Sequence, residues 1–493
     1  MLLPTSVYII CLLFGAWVIH AAWSWHRLRH IPGSIWISHS KLWQVRAQMS
    51  GKWYLELRKV GNRYGDLFRI GPNQVMTTDV GAIRRMAHPK SRYTRSPFYR
   101  TFRFSPAQDH TFSLLDEREH RRRRTVLAPG YASGPHVEAC VDRQCAALVD
   151  LIERQFISTP REHRPLDLTA TSLFFAMDCV GDLAYGRPFG CLDLGRDVHG
   201  FIRWNEAFFN VAIVVANFPW LTALLSRLPF GGLYPSALDA DGVGKFIGLA
   251  QEAFEKSIHN GVDRRRDVTA SFIDHGATKR EIINELVLQI VAGTDSTAVG
   301  IRMTLFLLVS TPAAYLRLRA EIDRATRAGL LSSPVTHAEA QRLPYLQAVI
   351  REGLRVFPVV AAPFYKCVPS GGDVIAGHFV PEATEVGVDI LGVMRHPRYW
   401  GPDPDAFRPE RWLEAPPAAT DVMATALETL WGAGRYKCLG RAIVQVELNK
   451  VFVELLRRFD FAVVNPQDPV KIVNSGFFLM SKLEMRDQNE AIK

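Results

Sequence analysis

The sequence predicts one large, mainly α-helical body with a small β region (α+β), carried behind an N-terminal membrane anchor. Helical periodicity dominates the chain from residue 117 onward, and strand-like runs are few and short. No internal repeat or low-complexity linker divides the 493 residues into separate domains. A composition of 48% hydrophobic and 22% charged residues is that of a globular protein and excludes collagen-like, disulfide-stapled and wholly disordered classes. The 7 cysteines include no C-x-x-C pair, which argues against a zinc ribbon or thioredoxin-type site, and their odd number suits a reducing compartment.

Residues 1–25 form the anchor. From Val7 to Trp25 the chain is almost uncharged, and that length at about 1.5 Å per residue approaches the hydrocarbon thickness of a bilayer. Trp17, Trp23 and Trp25 suit a membrane interface, and Arg27 and Arg29 follow at once, which leaves the rest of the chain in the cytosol. A cleaved signal peptide is the alternative, but it lacks a basic n-region and a good cleavage site. The absence of an N-x-S/T sequon agrees with a cytosolic body. Residues 26–33, ending in Ile31-Pro32-Gly33, read as a basic, proline-containing hinge.

Residues 34–493 make the folded body. Tyr64 to Asp79 reads as two short strands around Gly71-Pro72-Asn73. Helices are expected over 117–128, 137–156, 168–185, 199–216, 243–260, 279–309, 311–327 and 337–357. Strands return near 373–388, a last helix spans about 439–459, and a strand pair follows around Asn474-Ser475-Gly476. The net charge of +10 points to an acidic partner or anionic membrane surface; no zinc-finger or RNA-recognition pattern supports nucleic acid.

The segment Trp431–Gly440 is the most informative. Gly432, Gly434 and Gly440 surround Cys438, and an amphipathic helix begins just after it. Glycine permits the close backbone approach that a loop under a flat cofactor needs, and a helix N-terminus favours thiolate. A thiolate held in such a loop suits haem iron; a buried free cysteine before a helix is the plainer reading. Upstream, Leu288 to Gly300 puts Gly293, Asp295, Ser296 and Thr297 inside a long apolar helix, where such residues are locally unfavourable. Glu352 and Arg355 stand at i, i+3 on a helix and can pair, and Arg411 lies downstream in "FRPERW". His120 and Arg124 stand at i, i+4 in an arginine-rich helix.

Together these segments resemble the cytochrome P-450 family, and the likeness runs over residues 30 to 485. The cysteine loop is similar to the family's F-G-x-G-x-R-x-C-x-G, with Trp431 in place of Phe and Tyr436 where an Arg usually pairs with a haem propionate. The resemblance implies the cytochrome P-450 fold, a haem-thiolate catalytic domain over 34–493, and haem b (iron protoporphyrin IX) with Cys438 as axial ligand. It implies that Ala292 and Gly293 leave room for dioxygen, and that Asp295 with Ser296 or Thr297 relays protons. His120, Arg124 and Lys366 would contact the propionates, and Glu352, Arg355 and Arg411 would form a structural triad. Ser296 stands where the family usually has Thr; losing the methyl loosens control of the hydroxyl.

The implied activity is a monooxygenase using O2 and electrons from NADPH through NADPH–cytochrome P-450 reductase, with cytochrome b5 as an optional second donor, since this chain has no dinucleotide or flavin motif. By family position the substrate pocket draws on Phe98 to Phe112, Phe208 to Trp220, Val359 to Phe364, and Phe477-Phe478, which suits a lipophilic small molecule. The wording of several segments resembles microsomal fungal members, so a terpenoid, alkaloid or polyketide intermediate at the endoplasmic reticulum membrane is expected. A haem-thiolate isomerase or dehydratase working without reductase, and a haem-binding protein disabled at Trp431 and Tyr436, are the alternatives.

Overall fold

The computed structural model describes residues 8, 15, 18–19, 22–105, 108–159, 161–225, 235–259 and 267–487. Most of the expected anchor, including Trp17, lies outside the described residues; residues 22–28 are helical.

The body is built around the helix Lys279–Val309. It opens with a capping box, in which Thr278 Oγ1 accepts from the Glu281 amide and the Glu281 carboxylate accepts from that of Thr278. Apolar side chains recur on most of its faces, and such a helix must be covered all round. It packs against the helices Leu168–Ala184, Gly242–His259, Pro344–Val356 and Arg441–Leu456. By length and hydropathy it could cross a membrane, yet 72% of its apolar window is buried in the fold. It is the core helix.

The expected helices 117–128, 137–156, 168–185, 199–216, 243–260 and 311–327 correspond to Glu117–Leu127, Pro135–Gln155, Leu168–Ala184, Phe201–Val215, Gly242–His259 and Pro312–Arg327. The expected helix 337–357 is two helices, His337–Gln341 and Pro344–Val356. Leu343 between them is extended (φ −89°, ψ 98°), because the Pro344 ring excludes the helical conformation from the residue before it.

The strands lie to one side. Leu67–Gly71, Gln74–Thr77, Glu385–Val388, Lys366–Cys367 and Thr94–Arg95 form a five-stranded sheet in that order. Its pairs are antiparallel except for Gln74–Thr77 beside Glu385–Val388. The sheet thus carries Lys366 and Arg95 on adjacent strands, directly opposite one another in register. Near the C-terminus Val470–Val473 pairs with Met480–Asp487, and the residues between fold Phe477 and Phe478 inward.

Candidate active site

Cys438 ends a tight loop. Its amide donates to the Trp431 carbonyl at 2.6 Å. Gly432 (φ 71°) and Gly434 (φ 50°) take left-handed conformations there, and a Cβ on Gly434 would stand 2.0 Å from the Ala87 carbonyl oxygen. The helix Arg441–Leu456 starts immediately after, with Gly440 at its N-cap. The Cys438 side chain is uncovered yet enclosed by the surrounding protein, so it faces an internal space. Burial pushes its thiol up; the amides of Gly440 and Arg441 and the charges of Arg124 and Arg441 pull it down.

On the core helix, Glu285, Gln289, Ala292 and Ser296 share one face by helical spacing. That face is where the burial breaks: Ala292 is exposed and Gly293 and Ser296 are half-buried, in a helix otherwise closed on this stretch. Arg124 and Tyr131 each interact electrostatically with both Cys438 and Glu285, so the open face and the sulfur belong to one space. Burial pushes Glu285 up to about 7, against the hydrogen bonds it accepts from the amide and hydroxyl of Thr111.

The three relay candidates point differently. Ser296 Oγ donates to the Ala292 carbonyl at 2.7 Å, beside the open face. Thr297 is buried and donates to Glu447 Oε2 at 3.2 Å, toward the helix that follows the cysteine. Asp295 is buried on a flank, where the Asn205 amide donates to its Oδ2; burial raises it to about 7 against the pull of Arg302 and that hydrogen bond.

Cations gather beside the loop. Lys366 is buried with its Nζ 2.6 Å from Tyr99 Oη and 4.2 Å from the Tyr436 ring, and among the described residues it has no carboxylate partner. Burial and Arg95 drive it far below the usual lysine range. Arg95 Nη1 donates to the carbonyls of Thr111, Phe112 and Leu114, and its Nη2 lies 2.9 Å from His120 Nε2. Burial and the nearby charges of Arg95, Arg124, Lys366 and Arg435 push His120 down to about 2, so it is neutral. The Arg124 guanidinium makes no hydrogen bond or ion pair among the described residues. Tyr436 donates to Glu117 Oε1 at 2.5 Å. Of the adjacent arginines, Arg122 and Arg123 are paired with Glu119 and Glu281, which leaves Arg121 exposed.

Arg95, Lys366 and Arg435 therefore meet one carboxylate, Glu117, while Arg124 feels Glu285, and Arg95 Nε is buried without a partner among the described residues. A surplus of buried positive charge needs anions. These residues fit a flat iron cofactor with two carboxylates: Cys438 would offer the sulfur ligand, Ala292, Gly293 and Ser296 an open helix face, and Arg95, Lys366 and Arg124 the cations for its carboxylates. Arg95, Glu117 and Asn205 belong to no motif in the sequence; only strand pairing and helix packing bring them here.

Behind the loop, Glu352 is buried and receives Arg355 Nη2 at 2.7 Å, Arg411 Nε at 2.8 Å and Trp412 Nε1 at 3.0 Å. The remaining arginine donors reach carbonyls of Met394, Pro404, Ala406, Trp400 and Asp403.

Residues 31–486 match the family model described as Cytochrome P450. The chain is 37% identical over 458 residues to cytochrome P450 monooxygenase ABA1 of Pyricularia oryzae, covering 91% of this chain and 90% of that protein. It is 34% identical over 462 residues to cytochrome P450 monooxygenase aba1 of Botryotinia fuckeliana, at 92% and 91% coverage. With cytochrome P450 monooxygenase pkfB of Emericella nidulans it shares 31% identity over 500 residues, at 98% and 96% coverage.

Proposed function

Because the chain belongs to the cytochrome P450 family and is a haem-dependent monooxygenase, we propose that it oxidises a lipophilic small molecule of fungal secondary metabolism, with a terpenoid, alkaloid or polyketide skeleton. Electrons come from NADPH through a separate membrane-bound reductase. The observation that carries the site assignment is the coincidence of an unburied Cys438 sulfur with an unburied Ala292–Ser296 face inside an otherwise closed core.

When bound, haem supplies dioxygen binding and the cleavage of its O–O bond. Cys438 would ligate its iron; the amides of Gly440 and Arg441 and the charge of Arg124 favour the ionised sulfur against the burial that raises its thiol. Arg124, Lys366 and Arg95 would hold the carboxylate edge. Asp295, which burial raises to about 7, would exchange a proton near neutrality, and Ser296, whose Oγ donates to the Ala292 carbonyl, would be the hydroxyl serving the open face.

The substrate class rests on the aromatic wall. Phe102 and Phe477 stand 5.1 Å apart, Phe112 and Phe477 6.0 Å, and Phe209 and Phe478 4.9 Å, and burial pushes the adjoining His110 down to about 4, so it is uncharged. Membrane seating is supported by Ile35, Trp36 and Leu42, which are exposed on the N-terminal helices, with exposed Trp220 nearby. Lys41 ties that region to the Asn217 carbonyl at 2.6 Å.

The test is the carbon monoxide difference spectrum of the reduced, haem-loaded protein. A strongly red-shifted Soret band is expected, and Cys438→Ala should abolish it. A band typical of histidine or thiol ligation in the unmutated protein would overturn the assignment; with the thiolate band in hand, NADPH-dependent turnover separates a monooxygenase from an isomerase.

A further inference from the structure

Three separate segments meet at the Glu117 carboxylate. Glu117 stands in the first turn of the helix Glu117–Leu127, and its Oε1 accepts the Tyr436 hydroxyl at 2.5 Å and the Arg95 amide at 3.3 Å. Its Oε2 lies 3.5 Å from Arg435 Nε. One side chain thus joins the strand that carries Arg95, the helix that carries His120 and Arg124, and the loop that leads to Cys438.

That acid decides what Tyr436 can offer. A phenol has one hydrogen to donate, and Glu117 takes it. A hydrogen bond to a carboxylate is stronger than one between neutral groups, so the hydroxyl stays there. What remains is the Tyr436 ring. Lys366 Nζ stands 4.2 Å from its centroid, the Arg95 guanidinium 4.9 Å and that of Arg435 5.1 Å. Lys366 gives two of its three hydrogens to Tyr99 Oη at 2.6 Å and the Phe364 carbonyl at 3.3 Å, which leaves one unused. Arg95 Nε is buried and without a partner among the described residues. Arg435 turns elsewhere, with Nη2 donating to the Tyr93 carbonyl.

We propose that Glu117 is a positioning residue for the cofactor's carboxylates: by holding the Tyr436 hydroxyl it makes that side chain an aromatic support for Lys366 and Arg95, which bind the carboxylate in its stead. The inference rests on haem occupying the space between Cys438 and the core helix, and not on the substrate class. Charge agrees with it. Burial and the bond to Glu117 push the Tyr436 phenol up, so it keeps the proton that it donates. Burial and Arg95 hold Lys366 far below the usual lysine range, and a carboxylate beside it would restore its charge.

The experiment reads the haem carboxylate bending bands in the resonance Raman spectrum of the full-length holoenzyme, and the rate of haem transfer to apomyoglobin. Tyr436→Phe should leave the bands and the rate as in the parent. Lys366→Met should shift the bands and speed transfer about tenfold or more, and Lys366→Arg should keep the rate near the parent's. Glu117→Ala frees the phenol to reach the carboxylate, so the bands should shift, and the shift should vanish when Tyr436→Phe is added. Bands moved by Tyr436→Phe alone as far as by Lys366→Met would show that Tyr436 holds the carboxylate itself and would overturn the proposal. So would unmoved bands in Glu117→Ala, or a shift that persists in the double variant. Should Glu117→Ala fail to retain haem, Tyr436→Phe against Lys366→Met decides alone. Loss of the thiolate spectrum in the unmutated protein would instead remove Cys438 as ligand, and the carboxylate bands would still report on Glu117.

Discussion

Ser296 carries the hydroxyl nearest the open face, and it is the least constrained of the three relay candidates. Its Oγ is parked on the Ala292 carbonyl at 2.7 Å, and no branch on Cβ restricts its rotation. A threonine there would keep the hydroxyl and limit the rotamers. Ser296→Thr is expected to raise the product formed per NADPH by about threefold, the weight of one staggered well among three. The measurement is hydrogen peroxide and product against NADPH consumed; an unchanged ratio would mean that Ser296 rotation does not govern waste. Thr297 is not interchangeable with Ser296, because its hydroxyl is given to Glu447 in the packed interior.

Between elements, one carboxylate ties a helix to the downstream segment that carries Arg408, Arg411 and Trp412. Glu352 sits on the helix Pro344–Val356, takes Arg355 from the same helix, and draws in Arg411, Trp412 and the Arg408 amide from the downstream loop. All of its partners are charged or polar groups taken out of water, so breaking the set leaves buried cations unpaired. Glu352→Gln should lower unfolding stability by about 3–5 kcal/mol and weaken haem retention. Thermal unfolding of the variant checks it, and a melting temperature equal to that of the parent would show that Asp403 and the backbone carbonyls suffice to hold the arginines.

At the scale of the whole molecule, burial sets the pH response. Burial pushes Glu285 from 4.5 up to about 7, and Glu447 likewise. A folded state that holds such protons has their contribution in full below 4.5 and loses it as pH rises to about 7. Glu285→Gln should therefore gain stability relative to the parent across that window, measured by denaturant midpoints at each pH; a constant difference would refute it. His110 acts oppositely: its folded value near 4 makes its contribution present above 6.5 and lost as pH falls through 4. The exposed Ile35, Trp36, Leu42 and Trp220 bear on location. Deleting residues 1–25 should release the protein from membranes only in part, and complete solubility would confine attachment to the anchor.

The fold class is legible in the chain's local pattern, because periodicity and spacing are local properties. Helical repeats placed most long helices within a residue or two, and the glycine loop, Glu352–Arg355 and the polar break at Gly293–Thr297 were legible as departures from what a helix or core prefers. Proline at 344 could have marked the split helix, since it forbids helix in the residue before it. Encounters between distant segments come from packing alone. Strand pairing sets Arg95 opposite Lys366; Glu117 accepts from Tyr436, which lies some three hundred residues further along the chain; Asn205 reaches Asp295 across the packing of two helices. Those side chains follow no local pattern, because long-range contacts are fixed by the sum of packing, and burial then decides which hydroxyl faces the open space and which carboxyl keeps its proton.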